Sequence, residues 1–216
     1  MGVQIWRQRQ SDGAISLPGA QPLPGPQEAE SDLVSLETTV SACARCSLHK
    51  DRNKSVFGVG NPNADLMFVG EAPGAEEDRQ GLPFVGRAGQ LLEAMLGAID
   101  MKREQCFIAN VLKCRPPNNR DPMGEEVRQC SPYLLRQIEL IQPRLLVAMG
   151  RFAAQALLQT HQSIGKLRGE VHHYGEQKIP LVVTYHPAYL LRSPLEKRKA
   201  WDDLKKIRAL LHVPEH

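Results

Sequence analysis

Four short apolar segments constrain the fold of this 216-residue chain more than any other feature. They lie at residues 64–69, 106–112, 145–149 and 180–184, and segments with helical periodicity separate them. Apolar runs of this length are typical of parallel strands that are buried on both faces. Their alternation with helices predicts an α/β fold with three α/β/α layers around a central, mainly parallel four-stranded sheet.

The composition changes near residue 31, which predicts two regions. Residues 10–31 are rich in Pro, Gly, Gln, Ser and Ala, so we expect a flexible tail over residues 1–31. Leu33, Leu36 and Val40 then recur at helical spacing. We expect a single folded domain over residues 32–216, a length that suits one hydrophobic core.

Charge and hydropathy narrow the classes of protein. The formal charge is +3 and the isoelectric point is about 8.6, a mildly basic balance that is compatible with nucleic acid. No apolar run approaches the roughly 20 residues of a membrane span, and the N-terminus lacks a signal-peptide pattern. We therefore expect a cytoplasmic, nucleoid-associated protein that does not bind membranes. Cysteines in that compartment stay reduced, so they are ligands or core residues and not disulfides.

Four of the five cysteines form two pairs. Cys43 and Cys46 are separated by two residues, and Cys114 and Cys130 by fifteen. Four thiolates suit zinc or an iron–sulfur cluster, and the spacing alone leaves both open. Cys106 lies inside a predicted strand and is interpreted as a packed core thiol.

Two loops follow predicted strands and carry polar residues. GEAPG at residues 70–74 follows the first strand, and HPAYLLR at residues 186–192 follows the fourth. Because loops at the carboxyl ends of parallel strands border one crevice, these segments are expected to face each other. The sequence therefore predicts a pocket for a flat, polar heterocycle.

Four motifs in one order carry a resemblance to a known family. They are GEAPGAEEDRQGLPFVGRAGQLL at 70–92, ANVLKCRPPNNRDP at 109–122, VAMGRFAAQALL at 147–158 and VTYHPAYLLR at 183–192. From about residue 43 to 211 the chain resembles the family 4 uracil-DNA glycosylases, the iron–sulfur branch of that superfamily. The resemblance implies a monofunctional DNA repair hydrolase, acting as a monomer, that flips uracil out of single- or double-stranded DNA and leaves an abasic site.

The resemblance also implies roles for individual residues. Phe84 would stack on the flipped uracil, Asn110 would pair with its O4 and N3–H, and His186 would face O2. A core phenylalanine and a strand-end asparagine that caps its own backbone are the ordinary alternatives for the first two. Glu71 would assist water or stabilise the sugar cation, and Glu77 would exclude thymine.

The turn at residues 70–74 would pack its backbone against the base. Gly70, Ala72 and Gly74 lack bulk, as such a contact requires. Ala72 replaces the aspartate that orients water in the best-known branch of the superfamily, and Gly74 replaces a tyrosine that excludes thymine there. Aspartate-assisted water activation at position 72 is thereby excluded.

The same resemblance implies DNA contacts and a cofactor. Leu190 would enter the duplex as a wedge, and Arg192, Arg115 and Arg120 would contact phosphates. A 4Fe-4S cluster would tie the N-terminal helix to the loop at residues 115–129. Its predicted ligands are Cys43, Cys46, Cys114 and Cys130.

Two alternative functions stay open at the level of sequence. The first is a non-catalytic iron–sulfur module that binds nucleic acid, against which the joint presence of Glu71, Phe84, Asn110 and His186 argues. The second is a superfamily member that bonds covalently to the abasic sugar and carries a basic, histidine-containing insertion. The corresponding segment at residues 163–175 is short.

Overall fold

The computed structural model describes residues 26–212, which form a six-stranded mixed sheet with helices on both faces. The strands are β1 (Val59–Gly60), β2 (Leu66–Gly70), β3 (Cys106–Asn110), β4 (Leu145–Met149), β5 (Val171–Tyr174) and β6 (Ile179–Thr184). Their order across the sheet is β1-β3-β2-β4-β6-β5.

The four inner strands confirm the predicted parallel sheet. β3, β2, β4 and β6 pair in parallel, and every residue of β2, β3 and β4 is buried. Burial on both faces explains why these segments are uniformly apolar. The predicted number of four strands is too low, because β1 and β5 pair antiparallel at the two edges. β1 has only two residues and β5 alternates exposed with half-buried side chains, so neither contains an apolar run.

Eight α-helices within residues 26–212 complete the layers. They are α1 (Pro26–Ser41), α2 (Ala75–Gln80), α3 (Arg87–Gly97), α4 (Gly124–Ile141), α5 (Arg151–Leu158), α6 (Ile164–Leu167), α7 (Pro187–Arg192) and α8 (Lys197–Leu211). Residues of α1, α4 and α5 pack on one face of the sheet, and those of α3 and α8 pack on the other. The two hydrophobic clusters confirm the three-layer arrangement.

The predicted boundary of the N-terminal tail is wrong by several residues. Helix α1 begins at Pro26, so residues 26–31 already belong to it. The sequence predicts a later start because apolar residues at helical spacing begin at Leu33. The rest of the predicted tail, residues 1–25, lies outside the described residues.

The parallel strands end together and so define one polar edge. Gly70 at the end of β2 is in register with Asn110 at the end of β3, and Met149 at the end of β4 with Thr184 at the end of β6. The loops that follow meet at this edge. Among the described helices, none combines the length and the apolar content that crossing a membrane requires.

Candidate active site

A cavity of about 370 Å³ lies at the carboxyl edge of the sheet. Nine of the residues singled out from the sequence line it: Glu71, Ala72, Gly74, Glu77, Phe84, Asn110, Arg120, His186 and Arg192. Gly70 lies directly beneath Asn110 and Phe84. The structure therefore brings residues from four separate loops around one space.

Asn110 presents an unsatisfied acceptor to this cavity. Its side chain is 1% exposed, and its Oδ1 atom has no hydrogen-bond partner within the described residues. A buried polar atom without a partner carries a free-energy penalty of about 1–3 kcal/mol, which a ligand that donates a hydrogen bond would remove. A Cβ at Gly70 would lie 2.3 Å from Oδ1 and 2.7 Å from Cζ of Phe84, so only glycine fits beneath both.

Phe84 forms one wall of the cavity from a strained turn. Its φ of 53° is in the left-handed region, which disfavours a bulky side chain by roughly 1–2 kcal/mol. The backbone N–H groups of Val85 and Gly86 donate to Glu77 Oε1 at 2.9 and 3.0 Å. Arg103 donates to the Phe84 carbonyl at 3.0 Å and also to the carbonyl of Pro83. These contacts hold the turn in place.

Helix α3 closes the space behind the same turn. A Cβ at Gly89 would lie 1.9 Å from the carbonyl oxygen of Phe84, so the helix supports the turn only because this position has no side chain. On the cavity side, a Cβ at Gly74 would lie 2.7 Å from Oε2 of Glu77. The carboxylate of Glu77 thus occupies the space that a side chain at position 74 would fill.

His186 is set up as a neutral hydrogen-bond donor. Its Nδ1 accepts the backbone N–H of Ala188 at 3.1 Å, which leaves Nε2 to carry the ring proton. Burial, followed by the charge of Arg192, lowers the pKa of His186 to about 4, while Glu77 opposes the shift. The imidazole is therefore neutral near pH 7. Its ring centroid lies 5.5 Å from that of Phe84, so donor and aromatic face border the same space.

Glu71 is a half-buried carboxyl group that ionises near neutrality. Burial, followed by repulsion from Asp121, raises its pKa to about 7, and Arg151 opposes the shift. Arg151 and Asp121 form an ion pair at 3.1 Å beside it. Such a group exchanges a proton at physiological pH, as a general base must.

Sequence reasoning missed several residues at this edge, including Arg103, Asp121 and Arg151. Arg151 was within reach of the same argument that found the other loops, because it comes directly after the third inner strand. Arg103 was not, since it lies before β3 and reaches the turn around Phe84 only through the fold.

The predicted wedge residue is buried. Leu190 is 1% exposed and belongs to the core on the α3 and α8 face, because one turn of α7 directs it inward. The neighbouring Tyr189, at 37% exposed, is directed outward from α7. The expectation of an exposed Leu190 is therefore wrong for this structure.

The three arginines expected at phosphates differ in their surroundings. Arg192 is exposed and lines the cavity. Arg120 pairs with the buried Glu126 at 2.5 Å, which fixes its guanidinium at the rim. Arg115 stands outside the cavity and donates to Asn119 at 2.7 Å. Phosphate binding by all three stays a prediction.

The four cysteines of the predicted cluster line one small second cavity. Cys43 and Cys46 follow α1, Cys114 follows β3 and Cys130 lies in α4. Cys106 is buried in β3, apart from this cavity, and burial raises the pKa of its thiol to about 12.

Hydrogen-bond donors point at two of these sulfurs. Arg52 donates to Cys114 Sγ at 3.1 Å, and the backbone N–H of Lys113 donates to Cys130 Sγ at 3.2 Å. Burial raises the pKa of the Cys130 thiol to about 11. Burial also raises the pKa of the Cys114 thiol, while Arg52 opposes that shift. Within residues 26–212, no three Cys, His, Asp or Glu side chains are close enough together to hold a single metal ion.

Comparisons with known proteins point to one superfamily. The model of the uracil DNA glycosylase superfamily matches residues 57–205. A type-4 uracil-DNA glycosylase of Archaeoglobus fulgidus is 47% identical over 178 residues, which cover 79% of this chain and 89% of that protein. One from Sulfurisphaera tokodaii is 45% identical, covering 85% and 86%. A type-5 uracil-DNA glycosylase of Pyrobaculum aerophilum is 32% identical, covering 73% and 76%.

Proposed function

The chain belongs to the uracil DNA glycosylase superfamily, and on that premise we propose that it excises uracil from DNA by hydrolysing the N-glycosidic bond. The observation that carries this proposal is the unpartnered Oδ1 of Asn110, buried beside the ring of Phe84 in the cavity. A base inside a duplex cannot reach such a site, so the nucleotide must be flipped out.

The cavity suits the hydrogen-bonding edge of uracil. With uracil in the cavity, Oδ1 of Asn110 accepts a hydrogen bond from uracil N3–H, and the amide nitrogen of Asn110 donates to uracil O4. Cytosine presents an acceptor at N3 and a donor at its exocyclic nitrogen, so the same carboxamide orientation rejects it. The flat face of the base stacks on Phe84. Discrimination against thymine falls to the Glu77 carboxylate beside Gly74, which takes up space near the base.

Two side chains supply the chemistry of bond cleavage. Nε2–H of His186 donates to uracil O2, where negative charge develops as the base leaves. Removing a donor of this kind raises a barrier by about 3 kcal/mol in enzymes that stabilise oxyanions. Ionised Glu71 accepts a proton from the attacking water or balances the positive charge on the sugar. The products are free uracil and an abasic site in the DNA.

The cysteine-lined cavity is proposed to hold a 4Fe-4S cluster through Cys43, Cys46, Cys114 and Cys130. The donor set fits, since it consists of four thiols with N–H groups directed at two of the sulfurs. Four thiols would also suit a zinc ion, and the likeness to type-4 uracil-DNA glycosylases favours the cluster. A bound cluster would supply iron–thiolate bonds that join three segments of the chain.

Covalent attachment to an abasic site is the less favoured alternative. His172, in the segment where an insertion would lie, places Nε2 2.7 Å from the Leu167 carbonyl, so its ring is engaged within the fold. A covalent complex with abasic DNA that survives denaturing electrophoresis would favour this alternative.

The direct test is incubation with an oligonucleotide that contains one uracil, followed by hot alkali. We expect strand scission at uracil and none with thymine at the same position. Intact uracil strands after prolonged incubation would overturn the proposed function.

Asn110→Asp tests how the base is recognised. An ionised carboxylate accepts hydrogen bonds but donates none, so the variant should lose uracil excision and gain relative activity on cytosine. Phe84→Ala is the control, because lost stacking weakens every flipped base alike. Equal behaviour of the two variants on uracil and cytosine would assign base reading to the backbone of residues 70–74.

A further inference from the structure

Another cavity, of about 430 Å³, adjoins the proposed uracil pocket, and the proposed excision of uracil gives it no role. We refer to it as the side cavity. It shares Glu71, His186 and Arg192 with the proposed uracil pocket. Its volume falls in the range of roughly 300–1,000 Å³ that is typical of small-ligand sites. Its remaining walls come from Gly150, Arg151, Phe152, Ile164, Tyr185 and Tyr189.

An ordered pair of tyrosines forms one wall of the side cavity. Tyr189 is 37% exposed, and its ring centroid lies 5.0 Å from that of Tyr185. The guanidinium of Arg168 lies 4.3 Å from the Tyr185 ring centroid and is fixed by an ion pair with buried Asp203 at 2.6 Å. Because Arg168 holds the Tyr185 ring in place and Tyr189 packs against that ring, a base that stacks on Tyr189 loses little affinity to side-chain ordering.

Two arginines accompany these aromatic faces. Arg151 lies 4.3 Å from the ring centroid of Phe152, and Arg192 lines both cavities from the end of α7. Aromatic faces next to cations are the combination that binds a nucleotide, since the base stacks and the phosphate pairs with arginine. The aromatic faces and the arginines of the side cavity therefore suit a nucleotide.

We propose that the side cavity binds the unpaired base next to the flipped uridine on the same DNA strand. The two cavities have three wall residues in common, so a strand that places uracil in one continues into the other. The neighbouring base stacks on Tyr189, and the phosphate between the two nucleotides pairs with Arg192. This inference rests on the proposed uracil pocket. It makes unpaired DNA the substrate that fills both cavities.

The experiment measures kcat and KM for uracil release from single-stranded oligonucleotides. One strand has normal neighbours, and two others carry a tetrahydrofuran abasic analogue immediately 5′ or 3′ of the uracil. On the normal strand, Tyr189→Ala should raise KM about tenfold and leave kcat within about twofold. Removing the base on one side should raise the KM of the parent protein by a similar factor and leave that of Tyr189→Ala unchanged.

Matched variants exclude a general effect of losing an aromatic side chain. Trp201 is similarly exposed, at 41%, but lies on α8, so Trp201→Ala should behave as the parent on all three strands. Tyr189→Phe should retain the low KM. Melting temperatures equal to that of the parent would show that each variant is folded.

Three outcomes would contradict the inference. If Tyr189→Ala raised KM on both abasic strands as much as on the normal strand, Tyr189 would contact no neighbouring base. Cleavage of duplexes without cleavage of single strands would contradict it as well, because the occupant is an unpaired base. Absence of uracil release from all DNA would overturn the proposed function, and this inference with it.

Discussion

At the scale of single residues, His186 is the side chain whose removal should lower the rate of uracil release without lowering DNA affinity. In the proposed mechanism its Nε2–H donates to the leaving base, a hydrogen bond that would strengthen only as negative charge develops in the transition state. We expect His186→Ala to lower single-turnover uracil release by on the order of a hundredfold, with DNA affinity by fluorescence anisotropy nearly unchanged. His173→Ala, an exposed histidine of β5, is the control. Equal losses of affinity and rate would make His186 a ground-state contact.

In the proposed mechanism, we expect Glu71 to set the pH dependence of uracil release. Its pKa of about 7 means that the carboxylate forms between about pH 6 and 8. We therefore expect kcat/KM for uracil release to rise across that interval. His186, with a pKa of about 4, should add no step there. Glu71→Gln should be slow and nearly independent of pH, and a rising limb that survives in this variant would assign the titration to another group.

Thermal stability gives an independent readout of the same group. The folded pKa of Glu71 lies above its ordinary value, so the folded state retains a proton that the unfolded state releases above about pH 4.5. Its contribution to stability is therefore lost as pH rises through about 7. Glu71→Gln should raise the melting temperature relative to the parent more at pH 8 than at pH 5.

At the scale of elements, the contact between helix α3 and the Phe84 turn decides the shape of the pocket. We expect Gly89→Ala to raise KM for uracil DNA and to destabilise the fold by about 1–3 kcal/mol, because its Cβ would overlap the Phe84 carbonyl. Gly97→Ala on the same helix is the control. Among the described residues no atom outside that helix lies within 4 Å of the added Cβ, so stability should hold or rise slightly. Equal KM values for the two variants would contradict this account of the turn.

The elements also show which parts of the structure can be read from sequence. β2, β3 and β4 were predictable because both faces are buried and every residue is apolar or a strand end. Strand β5 was not, since His172 and His173 give it no apolar face. Motifs predicted that Phe84 and Asn110 lie in one site. The positive φ of Phe84 and the unpaired Oδ1 of Asn110 depend on contacts between distant segments, which no local pattern encodes.

At the scale of the whole molecule, one chain of contacts runs from the cysteine cavity to the proposed uracil pocket. Arg52 donates to Cys114 Sγ, and the adjacent Asn53 donates its backbone N–H to the buried Asp78 of α2 at 2.9 Å. Asp78 follows Glu77, the residue that holds the Phe84 turn. A cluster on the four cysteines would therefore stabilise more than their own loops, because Arg52 and Asn53 connect the cysteine cavity to helix α2.

Because of these contacts, cysteine variants test whether the cluster is present and whether it supports the uracil pocket. If the proposed cluster is present, the purified protein should be brown and contain iron, and we expect Cys114→Ser to lose both. A loss of about 3 kcal/mol in the free energy of unfolding should lower its melting temperature by about 10 °C, since each kcal/mol is worth about 2–4 °C in a chain of this size. Its KM for uracil DNA should rise. Cys106→Ser, altered in β3 apart from the cysteine cavity, should keep both colour and iron. A colourless parent that carries stoichiometric zinc after anaerobic purification would contradict the cluster. A colourless Cys114→Ser with unchanged KM would show instead that the contacts through Asn53 and Asp78 hold the pocket without it.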